Sequence, residues 1–257
     1  MNLTGMSLFD AHFHIIDPQF ASQEKQGFLR RRTFTCDDYL QCMNGQSLAG
    51  GVVVSTSYQG FGQDYLLKAL QRLGSGYVGV AQLPATVDDA TLLSLDKAGV
   101  RGLRFNLHRG NSTAVSELVP FAKRVHELCN WHVELYADAL LVDRFYAVIC
   151  QLPAVAIDHL ALSRSASALL LDLVERGVRI KASGFGRLES DPIPLMRDLY
   201  AANPACLMFG SDLPSARTSR SFDEGDLQRI GDALCTKAVR RVLCDNARQF
   251  YRIHVDP

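Results

Sequence analysis

The chain has 257 residues, 47% of them hydrophobic, enough for one large core and within the length that α/β barrels use as a single domain. Lys plus Arg and Asp plus Glu are both 27, so the formal charge is zero and no overall field draws the protein to nucleic acid or to an anionic membrane. Seven scattered cysteines (Cys36, Cys42, Cys129, Cys150, Cys206, Cys235 and Cys244) form no C-x-x-C pair, no cleavable leader pattern opens the chain and no apolar run reaches ~18 residues, so a soluble cytoplasmic protein with free thiols is expected.

Short β-rich runs alternate with helical patterns. Strands are predicted near 8–14, 52–56, 77–82, 101–107, 131–136, 154–159, 178–183 and 206–210. Helices are predicted near 35–47, 62–73, 88–97, 115–128, 138–150, 166–176, 191–202 and 226–235, with a further one near 237–244. Thr35 ahead of Asp37 and Asp38, and the pair Asp88 and Asp89, put acceptors and negative charge where helices start. Alternating units without a pause point to a (β/α)8 TIM-type barrel, with residues 1–257 as one domain, over an open doubly wound sheet. No G-x-G-x-x-G follows a strand, which argues against dinucleotide binding. Long loops at 17–34 and 211–225 are expected to cover the mouth at the C-terminal ends of the strands, and one of them to open for product release.

The first strand, SLFDAHFHIID, alternates Asp10, His12 and His14 with Phe9, Ala11, Phe13 and Ile15. Strict period-two alternation sends the polar set into the barrel and the apolar set under the helices. In the fourth strand Arg104 and Asn106 share a face, followed by Arg109. The fifth, WHVELY, directs His132, Glu134 and Tyr136 toward the centre, where Glu134 either pairs with an inward cation or meets a ligand. The sixth ends in AIDHLA, placing His159 at the rim beyond Asp158. The seventh puts Arg179, Lys181 and Ser183 on one face, and a lysine there requires an anionic ligand or a carboxylate. The last, CLMFGSDLP, presents Asp212, which is either a turn or capping residue or a carboxylate facing the histidines and able to take a proton from water. His12, His14, His159 and Asp212 also suit zinc, and spacing alone leaves that open. Arg104, Arg187, Arg217 and Arg220 at strand ends and in the final loop are forked donors suited to a carboxylate-bearing substrate. Ser183 and Ser211 lack a G-x-S-x-G elbow, so serine hydrolase chemistry has no support.

In order, DAHFHIID, GLRFNL, WHVELYAD, VAIDHLA, VRIKASGFGRL, FGSDLP and NARQFY resemble the amidohydrolase-2 group of the amidohydrolase superfamily, in particular its 2-pyrone-4,6-dicarboxylate lactonase-like branch. The resemblance implies a (β/α)8 barrel that hydrolyses a small carboxylated lactone without a metal or other cofactor; a monomer or homodimer is expected, and the neutral charge and lack of a long apolar run point to no nucleic-acid or membrane partner. It implies Asp212 as base for water, His12, His14 and His159 as the groups that polarise the carbonyl, and Arg104, Arg187 and Arg217 as carboxylate holders, with Lys181, Glu134 and Tyr136 orienting them or touching substrate. Metal-dependent relatives place a liganding histidine at the end of the fifth strand, where this chain has Glu134 and Tyr136. GSDLPSA also departs from the branch's aspartate-tryptophan-proline-histidine pattern at Leu213 and Ser215. The alternatives are a zinc-dependent decarboxylase or amide hydrolase with His12, His14, His159 and Asp212 as ligands, and a non-catalytic binding protein for a carboxylated metabolite.

Overall fold

The computed structural model describes residues 3, 5–20, 33–56, 59–108, 113–215, 218 and 220–253. Eight parallel strands follow one another around a sheet: β1 (Leu8–Phe13), β2 (Leu48–Val54), β3 (Tyr77–Ala81), β4 (Val100–Asn106), β5 (His132–Tyr136), β6 (Val155–Ile157), β7 (Arg179–Ala182) and β8 (Leu207–Phe209). Beyond β8 the chain runs alongside the end of β1: the Asp212 amide donates to the His12 carbonyl at 2.8 Å and the His14 amide to the Leu213 carbonyl at 2.8 Å. These bonds bring the eighth unit to the first, and the fold is a (β/α)8 barrel.

The helices lie between the strands: α1 (Cys36–Cys42), α2 (Asp64–Leu73), α3 (Asp89–Lys97), α4 (Val115–Cys129), α5 (Ala139–Arg144), α6 (Tyr146–Ile149), α7 (Ala168–Glu175), α8 (Ile193–Ala202), α9 (Glu224–Ala233), α10 (Thr236–Arg240) and α11 (Asn246–Phe250). Thr35 and Asp38 close a capping box on α1, and Asp88 accepts from the Thr91 amide to start α3. The helix predicted over 35–47 stops at Cys42, before Asn44 and a Gly45 at φ +89°. The one predicted over 138–150 is two short helices, divided at Phe145 with non-helical φ −101° and ψ 13°. The final helical stretch outruns its predicted end at 244, continuing through a wider turn at Arg241–Asp245 into α11.

The core has two parts. Outward residues such as Val53, Leu103, Phe105, Val133, Leu135, Ile157 and Ile180 pack under the helices, while Val52, Val54, Val78, Val80, Ala156 and Met208 fill the barrel itself with Cys244, Ala247 and Tyr251. The last group comes from the C-terminal helical stretch, which plugs the barrel at the N-terminal ends of its strands. There the Asn246 side-chain amide donates to the Leu207 and Pro204 carbonyls, and Tyr251 stacks on Phe9.

Strand β1 departs from strict alternation. Asp10 pairs with Gly51 and Phe13 with Val53, so β1 spends one more residue than β2 over this interval, a bulge that changes which face each side chain takes. Phe9 and Ala11, expected under the helices, lie in the barrel interior, and Asp10, expected in the mouth, turns outward. Asp10 accepts from the Tyr39 hydroxyl of α1 at 3.3 Å, from the Ser211 amide at 2.8 Å and from the Ser211 hydroxyl at 2.6 Å. It also accepts at 3.1 Å from the His12 amide that the bulge removes from the ladder. Beyond the bulge the expected faces return: Phe13 stacks on Tyr39 outside, with ring centroids 3.7 Å apart, and His12 and His14 enter the mouth.

The register shift that precedes the bulge uses Gly50, which pairs with Phe9 at φ +134° and would drive an added Cβ into the Gly76 carbonyl oxygen. Backbone conformation and a backbone clash both oppose any side chain. Gly50→Ala is therefore expected to cost roughly 2–6 kcal/mol, measured as a lowered urea midpoint at unchanged m.

Candidate active site

The barrel interior becomes polar above the Tyr251 plug, and β4, β5 and β7 account for the change. Their inward positions carry Arg104, then His132 and Glu134, then Lys181, all buried. Lys181, fully buried, places Nζ 2.5 Å from Glu134 Oε2, 3.1 Å from His12 Nδ1 and 3.4 Å from Asp158 Oδ1. Glu134 in turn accepts from the Tyr251 hydroxyl and lies 3.2 Å from His132 Nε2. Burial pushes the Glu134 carboxyl up, but Lys181 and His132 outweigh it and hold it at about 2. The pairing of Glu134 with an inward cation is thus what this geometry contains, and both groups sit beneath the mouth.

Above them four side chains converge. His12 Nε2 and His14 Nε2 are each 3.9 Å from Asp212 Oδ1, and His159 Nε2 is 3.8 Å from the same atom. These separations are too long for direct hydrogen bonds. Their other ring nitrogens are held: His14 Nδ1 donates to the Val54 carbonyl at 2.8 Å, and His159 Nδ1 shares a 2.9 Å hydrogen bond with the Ser183 hydroxyl. Burial lowers the proton affinity of all three rings, helped at His12 by Lys181, at His14 by Arg104 and at His159 by Arg187. His14 is brought to about 3, so the rings are neutral near pH 7.

Asp212 is buried, which raises its carboxyl above the ordinary range, partly offset by Arg187. Arg187 grips it side-on, Nε donating to Oδ2 at 2.7 Å and Nη2 to Oδ1 at 3.1 Å. The aspartate sits at φ +58° and the rim histidine opens a left-handed turn, with φ of 53°, 52°, 55° and 45° at His159, Leu160, Ala161 and Leu162. Four non-glycine residues in this region cost about 1–2 kcal/mol each. The turn is closed by the Ala161 amide on the Asp158 carbonyl at 3.0 Å and the Ser163 amide on the Leu160 carbonyl at 3.1 Å, over buried Leu160 and Ala161. Strain held in this way at a concave cluster of titratable groups is a feature of functional sites.

The other expected residues divide three ways. Tyr136 stands at the rim, its ring 5.4 Å from that of His159 and under the Arg104 guanidinium at 5.8 Å. Arg104 and Arg187, expected to receive substrate carboxylates, are engaged with the protein's own: Arg104 donates to Asp158 Oδ2 at 3.2 Å and to the Ser55 carbonyl at 2.6 Å. Arg179 lies at the opposite end of the barrel, donating to the Ala205 carbonyl at 2.6 Å, and Arg220 is tied to Asp223 and Asp226 at the start of α9. Arg109, Arg217 and most of the loop at 17–34 lie outside the described residues. Asp158 is the residue that strand reading passed over. It follows inward Ala156 by two positions, and it lies 3.2 Å from His12 Nδ1 while meeting Arg104 and Lys181.

The liganding atoms of His12, His14 and Asp212 lie within 4.8 Å of one another, as do those of His12, Asp158 and His159. In kind and spacing these donors match a divalent metal site. Their partners are mixed: His12 Nδ1 lies 3.1 Å from the Lys181 ammonium and 3.2 Å from the Asp158 carboxylate, an acceptor of the kind that backs a metal-bound imidazole, while Asp212 is already held by a guanidinium.

Sequence and structure comparisons bear on the family and the fold. The amidohydrolase family profile matches residues 9–253. A 2-pyrone-4,6-dicarboxylate hydrolase of Comamonas testosteroni is 30% identical over 161 residues, 59% of this chain and 50% of that protein, so the chain spans about half the length of this relative. A 4-sulfomuconolactone hydrolase of Rhizobium radiobacter is 25% identical over 278 residues, 95% of this chain and 90% of that protein. Among solved structures, an Acinetobacter baumannii protein designated a 2-pyrone-4,6-dicarboxylic acid hydrolase, with citric acid bound, superposes at a TM-score of 0.80 with 22% identity over 95% of this chain and 99% of its own. A Pseudomonas putida protein with the same designation gives 0.79 and 24%, covering 100% of both chains. With the family profile covering nearly its whole length, the chain belongs to the amidohydrolase family.

Proposed function

We propose that the protein hydrolyses a small carboxylated lactone and that it does so without a metal ion. The observation that carries this reading is the ring of three neutral imidazoles whose Nε2 atoms lie 3.8–3.9 Å from one oxygen of a buried aspartate. Two relatives named for the hydrolysis of anionic lactones, a pyrone dicarboxylate and a sulfomuconolactone, support the substrate class.

In the proposed reaction the oxygen of water bonds to the lactone carbonyl carbon while Asp212 Oδ1 takes its proton. Burial makes this carboxylate a stronger base than a solvated one. Charge growing on the carbonyl oxygen meets imidazole N–H in a water-poor pocket, where a fixed donor is worth more than in solution. The ring carbon–oxygen bond then breaks, and protonated Asp212 returns its proton to the departing oxygen, leaving a ring-opened acid. Arg187 uses Nε and Nη2 on Asp212, which leaves Nη1 for a substrate carboxylate, and the Arg104 Nε–H has no partner among the described residues. Each arginine thereby spans a protein carboxylate and a substrate one, positioning the lactone.

Charge supports the metal-free reading. Glu134, Asp158 and Asp212 are met by Lys181, Arg104 and Arg187, so a divalent ion would add positive charge to a set of contacts already balanced. Were an ion held, His12, His14, His159 and Asp212 would hold it.

Three outcomes are expected. Asp212→Asn lowers kcat by roughly 10²–10⁴-fold with KM little changed, read in steady-state assays of lactone opening. In a panel of matched lactones, removal of the substrate carboxylates raises KM or abolishes turnover, and indifference to them overturns the arginine assignment. Activity survives dialysis against a strong chelator with metal content monitored, whereas loss restored by zinc overturns the metal-free mechanism in favour of metal-dependent chemistry.

A further inference from the structure

Beneath the mouth, the Lys181 ammonium touches a ring nitrogen of only one of the three histidines. An ammonium has three donors and no acceptor. Its 3.1 Å approach to His12 Nδ1 is a hydrogen bond only if that nitrogen is bare, which puts the ring proton on Nε2. Nε2 is buried and without a hydrogen-bond partner among the described residues, on the side of the ring that faces Asp212.

Among the described residues the competing acceptor is Asp158 Oδ1, 3.2 Å from the same Nδ1. Among the described residues it accepts no hydrogen bond, with Lys181 Nζ 3.4 Å away, and a proton on Nδ1 would set an N–H against that ammonium. Lys181 cannot easily retreat. Glu134 holds Nζ at 2.5 Å, and Glu134 is itself fixed by Tyr251 and His132, all buried.

His14 has the opposite state. Its Nδ1 faces a carbonyl, which only accepts, so Nδ1 carries the proton and Nε2 is bare. His159 Nδ1 faces a hydroxyl, which accepts or donates, and its tautomer is not determined by that bond. Three rings that look equivalent in sequence therefore differ in what they offer a substrate.

We propose that Lys181 is a positioning residue that fixes His12 as the Nε2–H tautomer, making His12 the hydrogen-bond donor to the substrate carbonyl oxygen and His14 an acceptor for a hydrogen of the attacking water. The substrate roles rest on the lactone reading, while the tautomers are a property of the resting protein.

The test is long-range proton–nitrogen correlation NMR of the full chain with ¹⁵N-labelled histidine, the His12 and His14 signals being assigned by His12→Gln and His14→Gln. Expected are a bare Nδ1 and protonated Nε2 for His12, and the reverse for His14. A protonated Nδ1 on His12 overturns the proposal whatever the enzyme hydrolyses. Lys181→Met is expected to move the His12 proton to Nδ1, toward Asp158, and to lower kcat about 10²-fold with KM within ~3-fold. A folded Lys181→Met protein that keeps the Nε2–H tautomer, or loses only KM, overturns it as well. If that variant does not fold, the wild-type spectrum decides. Wild-type turnover of the lactone panel is scored separately, so failure of the lactone reading is told apart from failure of the tautomer assignment.

Discussion

A buried ammonium inside a barrel is the constraint on which the rest of this structure depends. Lys181 is fully enclosed, and an unpaired charge there would be far too costly to bury. Glu134 and Asp158 supply the counter-charges, and each brings further requirements. Glu134 needs donors for its second oxygen, which Tyr251 and His132 provide from below. Asp158 carries two cations, Lys181 and Arg104, and Arg104 reaches on to the Ser55 carbonyl at the end of β2. One cation thereby links five strands and the C-terminal plug into a single polar interior, and the histidine cluster stands on it.

The mouth is also a product of where the barrel meets itself. The first and eighth units join at residues 12–14 and 211–213, the stretches that carry His12, His14 and Asp212. Asp10 reinforces this join by accepting two bonds from Ser211, next to Asp212. Burial raises the Asp10 carboxyl to about 6 against the pull of these hydrogen bonds, so the join keeps its full acceptor strength only while that group is ionised. The bulge in β1 makes this possible, turning one carboxylate outward as an architectural tie and two imidazoles inward to the mouth.

Much of this was legible before any coordinates. Eight short β-rich runs separated by helical patterns identified the barrel, and parity placed Arg104, Glu134 and Lys181 inside it because β4, β5 and β7 are regular there. The faces of β1 were misread because one inserted residue inverts alternation, and nothing in FDAHF marks a bulge. Convergence of His12, His14, His159 and Asp212 was expected from motif order, but their partners were not, since a hydrogen bond between β7 and β1 has no local signature. Arginine was read as a substrate residue from its chemistry. Whether a guanidinium meets a ligand or an internal carboxylate depends on pairings about 25 and 54 residues apart, such as Arg187 with Asp212 and Arg104 with Asp158. Asp158 went unassigned beside a histidine, although its position two beyond Ala156 carried the same parity signal as the others.

The three-for-three matching of carboxylates and cations has a bearing on turnover. In the proposed reaction an anionic substrate enters a site whose charges among the described residues are balanced, so its retention there depends on oriented donors more than on bulk attraction. Ring opening then creates one more carboxylate without adding any cation to receive it. The product is more highly charged than the substrate in a space that offers it no more compensation, and better hydrated once outside. In the proposed reaction, electrostatics of this kind favour release of the product over its retention once the ring has opened.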